Sequence, residues 1–233
     1  MPNATAVPRS LARAVFARIR GQILAGAYEP GARLSPRALA TDSNVSMSVV
    51  REALTRLAEQ GLVVAEPQLG FTVVKLDMDD VRDISALRIL IEGEALRQAI
   101  AHADVEYEAR VLASHHRLAR TPGWSDDEQR TMTEEWAQAH ALFHAALLSA
   151  SPSTRLRDLA ETLRETAELY RRWSGMVSRE HGRRDVATEH RELMQTALDR
   201  DADRAVVLLS EHINTTTVLL QAYVEEHRPD LVS

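Results

Sequence analysis

The segment AHALFHAALL, residues 139–148, sets His140 and His144 four apart among Ala, Leu and Phe. Residues at i and i+4 of a helix are neighbours on one face, so both imidazoles would project side by side from an otherwise apolar helix. His190 and His212 lie in two further helical segments joined by LDRDADR, and their numerical midpoint, Asp201, falls inside that turn. Folding the chain about the midpoint puts both at equal height, roughly 16 Å from the turn at ~1.5 Å of rise per residue. Two imidazoles from one helix and one from each of a helical pair can converge inside a bundle, which is how bundles build metal sites. Imidazole suits zinc, nickel, copper, cobalt or iron(II), and not magnesium or calcium. A single histidine on an apolar face is more often a hydrogen-bonded core residue. The remaining five, His102, His115, His116, His181 and His227, are read that way, as surface or helix-end residues.

The elements that must hold this quartet are helical. Val81, Ile84, Leu87, Leu90, Ile91 and Leu96 recur at helical spacing and predict a long helix to about residue 102. Further helices are expected over 104–120, 127–150, 154–173, about 185–199 and about 202–226. Short connections among six helices make an antiparallel bundle. Composition agrees: 45% hydrophobic residues suffice for a core, and aromatics are only 4%. There is no cysteine, which excludes disulfides and thiolate metal sites. No secretory h-region and no long apolar span is legible, so a cytoplasmic protein with no membrane partner is expected.

The first 75 residues differ in character. They carry nine Arg/Lys against five Asp/Glu, while the net charge of the whole chain is -6. All nine histidines lie beyond them. Val15, Ile19, Ile23 and Leu24 mark an amphipathic helix over 10–26, ended near Gly26. Pro30-Gly31 breaks the chain, Arg33-Leu34 can form a short strand, and Ser35-Pro36 is a helix start. A second start at Ser46 opens a helix running to Gly61, where a glycine suits a left-handed cap. On that helix Val50, Ala53, Leu54 and Leu57 share one face, and Met47, Ser48, Arg51 and Thr55 share the other. LVVAE and FTVVKL around PQLG read as a hairpin. Helix, helix-turn-helix and hairpin make a winged helix-turn-helix, whose second helix enters the major groove with its N-terminal turn towards base edges. The expected organisation is a flexible tail over 1–9, a DNA-binding domain over 10–75 and a linker over 76–80. A helical effector-binding and dimerisation domain follows over 81–226, then a tail over 227–233.

The run from IRGQILAGAYEPGARL through VSMSVVREALTRLAEQGLV to LGFTV closely resembles the DNA-binding domain of the GntR family of bacterial transcription regulators. The resemblance implies operator contacts at Arg33, Arg37, Ser46, Met47, Ser48, Arg51 and the wing tip at Gly70. Many relatives carry arginine where this chain has Met47, which cannot form the bidentate bonds to guanine that arginine makes. The body resembles the all-helical FCD effector domain of the FadR subfamily, through LRILIEGEAL, FHAALL and EHRELMQTALDRDADRA. In its metal-binding members an Asp-x-x-x-His pair and two later histidines hold a divalent ion. The histidines map onto His144, His190 and His212, and the aspartate position is His140. Four neutral ligands leave the ion its full double charge, which favours softer metals and a bound anion. Arg88 matches a family arginine that faces the ligand pocket, so Arg88 and Glu92 are the expected effector-binding residues; the two can also pair with each other at i+4.

The expected function is a ligand-responsive, DNA-binding transcriptional regulator and not an enzyme. It is expected to act as a homodimer on a pseudo-palindromic operator, as a repressor released by a small organic acid at the metal site. Two alternatives remain open at this point. One is the same regulator with a metal-free effector pocket. The other is a metal-dependent hydrolase, with Glu135 or Glu189 as general base, although no HExxH arrangement is present.

Overall fold

The computed structural model describes residues 6–24, 27–28, 30–66, 70–125, 132–181 and 184–227. The chain divides into two compact units, Met1–Leu76 and Asp77–Ser233.

In the first unit, α1 (Ala6–Leu24) precedes β1 (Arg33–Leu34), α2 (Pro36–Ser43), α3 (Met47–Glu59), β2 (Val63–Glu66) and β3 (Gly70–Val73). The start of α1 at Ala6 lies four residues before the expected start at 10, so residues 6–9 of the expected tail are helical. Its buried Val15, Ile19 and Ile23 meet the buried face of α3, made by Val50, Ala53, Leu54 and Leu57. Each short helix starts where a serine can cap it. The Ser35 hydroxyl accepts from the Ala38 N–H and the Ser46 hydroxyl from the Val49 N–H. Asn44, at φ 52°, ends α2 in the left-handed region, and Gly61, at φ 70°, follows α3. The sheet has the order β1-β3-β2, all antiparallel, with Arg33 opposite Thr72 and Val64 opposite Thr72 on the other edge. The short strand expected at Arg33-Leu34 thus completes a three-stranded wing.

The second unit holds α4 (Met78–Ala101), α5 (Val105–Arg120), α6 (Glu134–Leu147), α7 (Thr154–Thr166), α8 (Glu168–His181), α9 (Val186–Leu198) and α10 (Ala202–His227). Its core runs through Leu96, Tyr107, Phe143, Leu147, Leu193 and Leu209. Three expectations are corrected. The linker expected over 76–80 runs into the first turn of α4, because the Asp77 carboxylate accepts from the Asp79 and Asp80 N–H groups. The third helix begins at Glu134, capped by Thr133, and not at 127; residues 126–131 lie outside the described residues. The segment expected as one helix over 154–173 is two, α7 and α8. Ala167 divides them, yet its dihedrals stay in the α region and its N–H still bonds Leu163 O at 3.0 Å. No proline or glycine marks that division, so periodicity alone passes through it.

Candidate functional site

Four helical positions converge. α6 supplies His140 and His144, α9 supplies His190 and α10 supplies His212, and all four are buried. Their candidate donor atoms all lie within 4.8 Å of one another. Ring centroids are 4.5 Å apart for His140 and His144, and 4.9 Å apart for His190 and His212. The hairpin about Asp201 therefore does level the last two, with Arg200 taking φ 61° to turn the chain between α9 and α10.

The quartet does not behave like packed core histidines. The Nε2 atoms of His144 and His190 are buried and have no hydrogen-bond partner among the described residues. A buried polar atom left unsatisfied costs about 1–3 kcal/mol, and a metal ion or a water molecule would satisfy both nitrogens. Burial, seconded by the positive charges of neighbouring arginines and histidines, holds His140, His144 and His190 well below the usual imidazole pKa. His212 is also lowered by burial, partly offset by Glu189. Neutral imidazoles keep the lone pairs that a metal needs. The donor set, four neutral nitrogens with no carboxylate, fits a zinc- or nickel-class ion.

A second layer fixes the orientation of His212. Its Nδ1 lies 2.7 Å from Glu189 Oε2. Burial pushes the Glu189 carboxyl up, but hydrogen bonds from His212 and Arg184 outweigh it and hold the group at about 2. As an ionised carboxylate Glu189 only accepts, so His212 must donate from Nδ1, leaving the Nε2 lone pair free. Arg184 grips Glu189 through Nε at 2.8 Å and Nη2 at 2.6 Å, and donates from Nη2 to the His212 carbonyl at 2.8 Å. Glu189→Gln is therefore expected to lower the affinity for zinc about 10–100-fold by chelator competition. An unchanged affinity would mean that the carboxylate does not set the His212 tautomer. The same contacts engage Glu189 with His212 and Arg184, and Glu135, the other base considered, is exposed.

A cavity of about 560 Å³ borders the cluster, with His140, His190 and His212 in its wall. Arg88 lines it as well. Its Nε bonds Glu92 Oε1 at 2.7 Å, which is the i+4 pair read from the sequence. Glu92, itself buried, is also 3.5 Å from Arg164. Glu92 thus anchors Arg88 and, contrary to the effector-binding role expected of it, is not among the described residues that line the cavity. His115 is corrected from a surface residue to a half-buried one in the same wall, its ring 5.5 Å from that of Phe143. The side chains of His181 and His227 lie outside the described residues. Sequence reading also missed Arg171, Trp136 and Arg184. Trp136 stood one turn before His140, a legible signal; the other two carried none.

The residues expected to contact DNA sit in the first unit. Arg37, Ser46, Met47, Ser48 and Arg51 are exposed, Ser46 as the cap of α3 and the last three on its face opposite the buried side. Arg33 is exposed on β1. Gly70 opens β3 at φ 95°, a conformation that disfavours any side chain. Residues 67–69, the rest of the expected wing tip, lie outside the described residues.

Residues 11–73 match the gntR family of bacterial regulatory proteins, and residues 83–215 match the FCD domain. The chain belongs to the gntR family. With its FCD domain, this GntR protein is a transcriptional regulator. It is 38% identical over 221 residues to BphR of Paraburkholderia xenovorans strain LB400, described as an uncharacterized HTH-type transcriptional regulator; the match covers 92% of this chain and 87% of that one. It is 29% identical over 205 residues to the HTH-type transcriptional repressor GlaR of Escherichia coli K12, covering 87% and 92%. Among solved structures, a GntR regulator from Rhodococcus sp. RHA1 superposes with a TM-score of 0.69 at 25% identity, covering 92% of this chain and 99% of that one. No helix among the described residues is long and apolar enough to cross a membrane.

Proposed function

We propose that this GntR protein is a repressor of the FadR subfamily, released from DNA by a small organic acid that binds beside a four-histidine metal site. The carrying observation is the pair of buried imidazole nitrogens without a partner, on His144 and His190, in a cluster whose His140, His190 and His212 line a cavity that Arg88 also lines. His140, His144, His190 and His212 would hold the ion, zinc or nickel by donor chemistry. When bound, such an ion supplies open coordination positions for a carboxylate. Arg88 would clamp the far side of that carboxylate, and Glu189 with Arg184 would keep His212 in its ligating tautomer.

In the head, the N-terminal turn of α3 would enter the major groove, with Arg51 and Ser48 towards base edges and Gly70 at the minor-groove side of the wing. Arg33 and Arg37 would hold phosphates. A pseudo-palindromic operator calls for two copies. Leu87 and Leu90, exposed by 49% and 66% on one side of α4, offer an apolar surface for the second. A cytoplasmic location follows from the DNA target.

A gel shift on the DNA upstream of its own gene, with zinc-loaded protein at low salt, tests this reading. Retarded DNA that is released by a carboxylic acid, and not by chloride, is the expected result. DNA that is not retarded at all, or retardation that no acid alters, would contradict it.

A further inference from the structure

We infer that the acid accepted by this cavity is an aryl or arylalkyl carboxylate, and that Trp136 is the residue that selects it. The inference rests on the reading that the cavity is the effector site. Three observations carry it.

The first is size. At about 560 Å³ the cavity matches sites that hold drug-sized ligands, about 300–1,000 Å³. An acid as small as lactate would leave most of it to water lying against apolar side chains. The second is the distribution of lining groups. The lining combines the imidazoles and arginines with Thr121, Ser174, Asp185 and Thr216, while Leu118, Trp124, Met132, Trp136 and Ile213 furnish apolar wall.

The third is the placement of the indole. The Trp136 ring stacks on the His140 ring, with centroids 5.0 Å apart and planes 26° apart. A carboxylate reaching the imidazoles would therefore set its next atoms beside the indole, where a flat ring gains offset stacking and apolar burial. The Arg171 guanidinium lies 5.6 Å from the Trp136 ring centroid and braces it as a cation over its face. Arg171 is itself held by Glu168, through Nη2 at 2.5 Å, so the brace is rigid. From Arg171 the wall continues to Met132, whose Sδ is 3.1 Å from Arg171 Nη1. It ends at Gly175 of α8, where an added Cβ would stand 2.9 Å from Met132 Cε and 3.6 Å from Trp124 Cη2. Glycine is disfavoured inside helices; here it leaves room for Met132 and Trp124 to lie back against α8 and keep the apolar end open.

Isothermal titration of the full-length zinc-loaded protein with 2-naphthoate, 3-phenylpropionate, lactate and citrate tests the inference. The two aryl acids are expected to bind at least about tenfold more tightly than lactate or citrate. Trp136→Leu is expected to abolish that margin while lactate affinity stays within about threefold. Because Trp136 touches a candidate ligand, Gly175→Leu provides a second variant on the far side of the cavity. It should displace Met132, weaken 2-naphthoate and spare lactate. Equal or tighter binding of lactate or citrate overturns the aryl preference and leaves the acid site standing. An aryl preference unchanged in both variants overturns the role of this wall. If none of the four acids binds, the reading of the cavity as an acid site fails with it.

Discussion

His144→Ala is expected to lower the affinity for zinc or nickel by more than about a hundredfold, exceeding the loss of a supporting partner, and to leave DNA binding without response to acid. His144 is the deepest of the four: it is 1% exposed, and its Nε2 has no hydrogen-bond partner among the described residues. The substitution removes a donor from the centre of the cluster, and three imidazoles remain. Its effect on the fold should be modest, because two terms oppose each other. Deleting the ring leaves a void, which destabilises, but it also removes a buried nitrogen with no partner, which relieves a penalty. The first unit lies in another compact body, Met1–Leu76, so DNA affinity without acid should stay within about threefold of the parent. Metal retained at the parental level, with the acid response intact, would show that the cluster is polar packing.

Arg51→Ala is expected to weaken operator binding by about 1–3 kcal/mol, roughly five- to 150-fold, measured by fluorescence anisotropy at one fixed salt concentration. Arg51 lies one turn beyond the N-terminus of α3, exposed beside Met47, Ser48 and Thr55. The side of α3 that holds the unit together is made by other residues, so the variant should melt like the parent. The salt dependence separates two roles. If Arg51 holds only a phosphate, the loss should be equal on operator and unrelated DNA, and the salt slope should fall by about one. If it reads a base, the loss should concentrate on the operator. A change below about twofold on both DNAs would remove Arg51 from the interface.

The sequence was most informative where local chemistry and periodicity agreed. Ser35 and Ser46 announced two helix starts, Gly61 a helix end, and the alternation of Val63, Phe71 and Val73 a wing, and each element formed there. The histidine quartet was legible because two independent spacings, four residues on α6 and the symmetry about Asp201, pointed to one place. The layers around it were not. Glu189 is adjacent to His190 in sequence, yet it serves His212 across the hairpin, a pairing that depends on helix rotation as well as spacing. Arg171 and Gly175 reach the cavity from α8, a helix that periodicity merged into α7. His115 looked like a solvated residue beside His116; only the packing of α5 against α6 and α9 decides which of the two turns inward.

Metal content per chain, measured by plasma mass spectrometry on protein purified without a histidine tag, tests the central claim most directly. Beside the parent, His190→Ala should be carried through the same purification. The four-imidazole site predicts close to one zinc or nickel per parental chain and a background level in His190→Ala. Equal metal content in the two proteins, whether near one or near none, would contradict it.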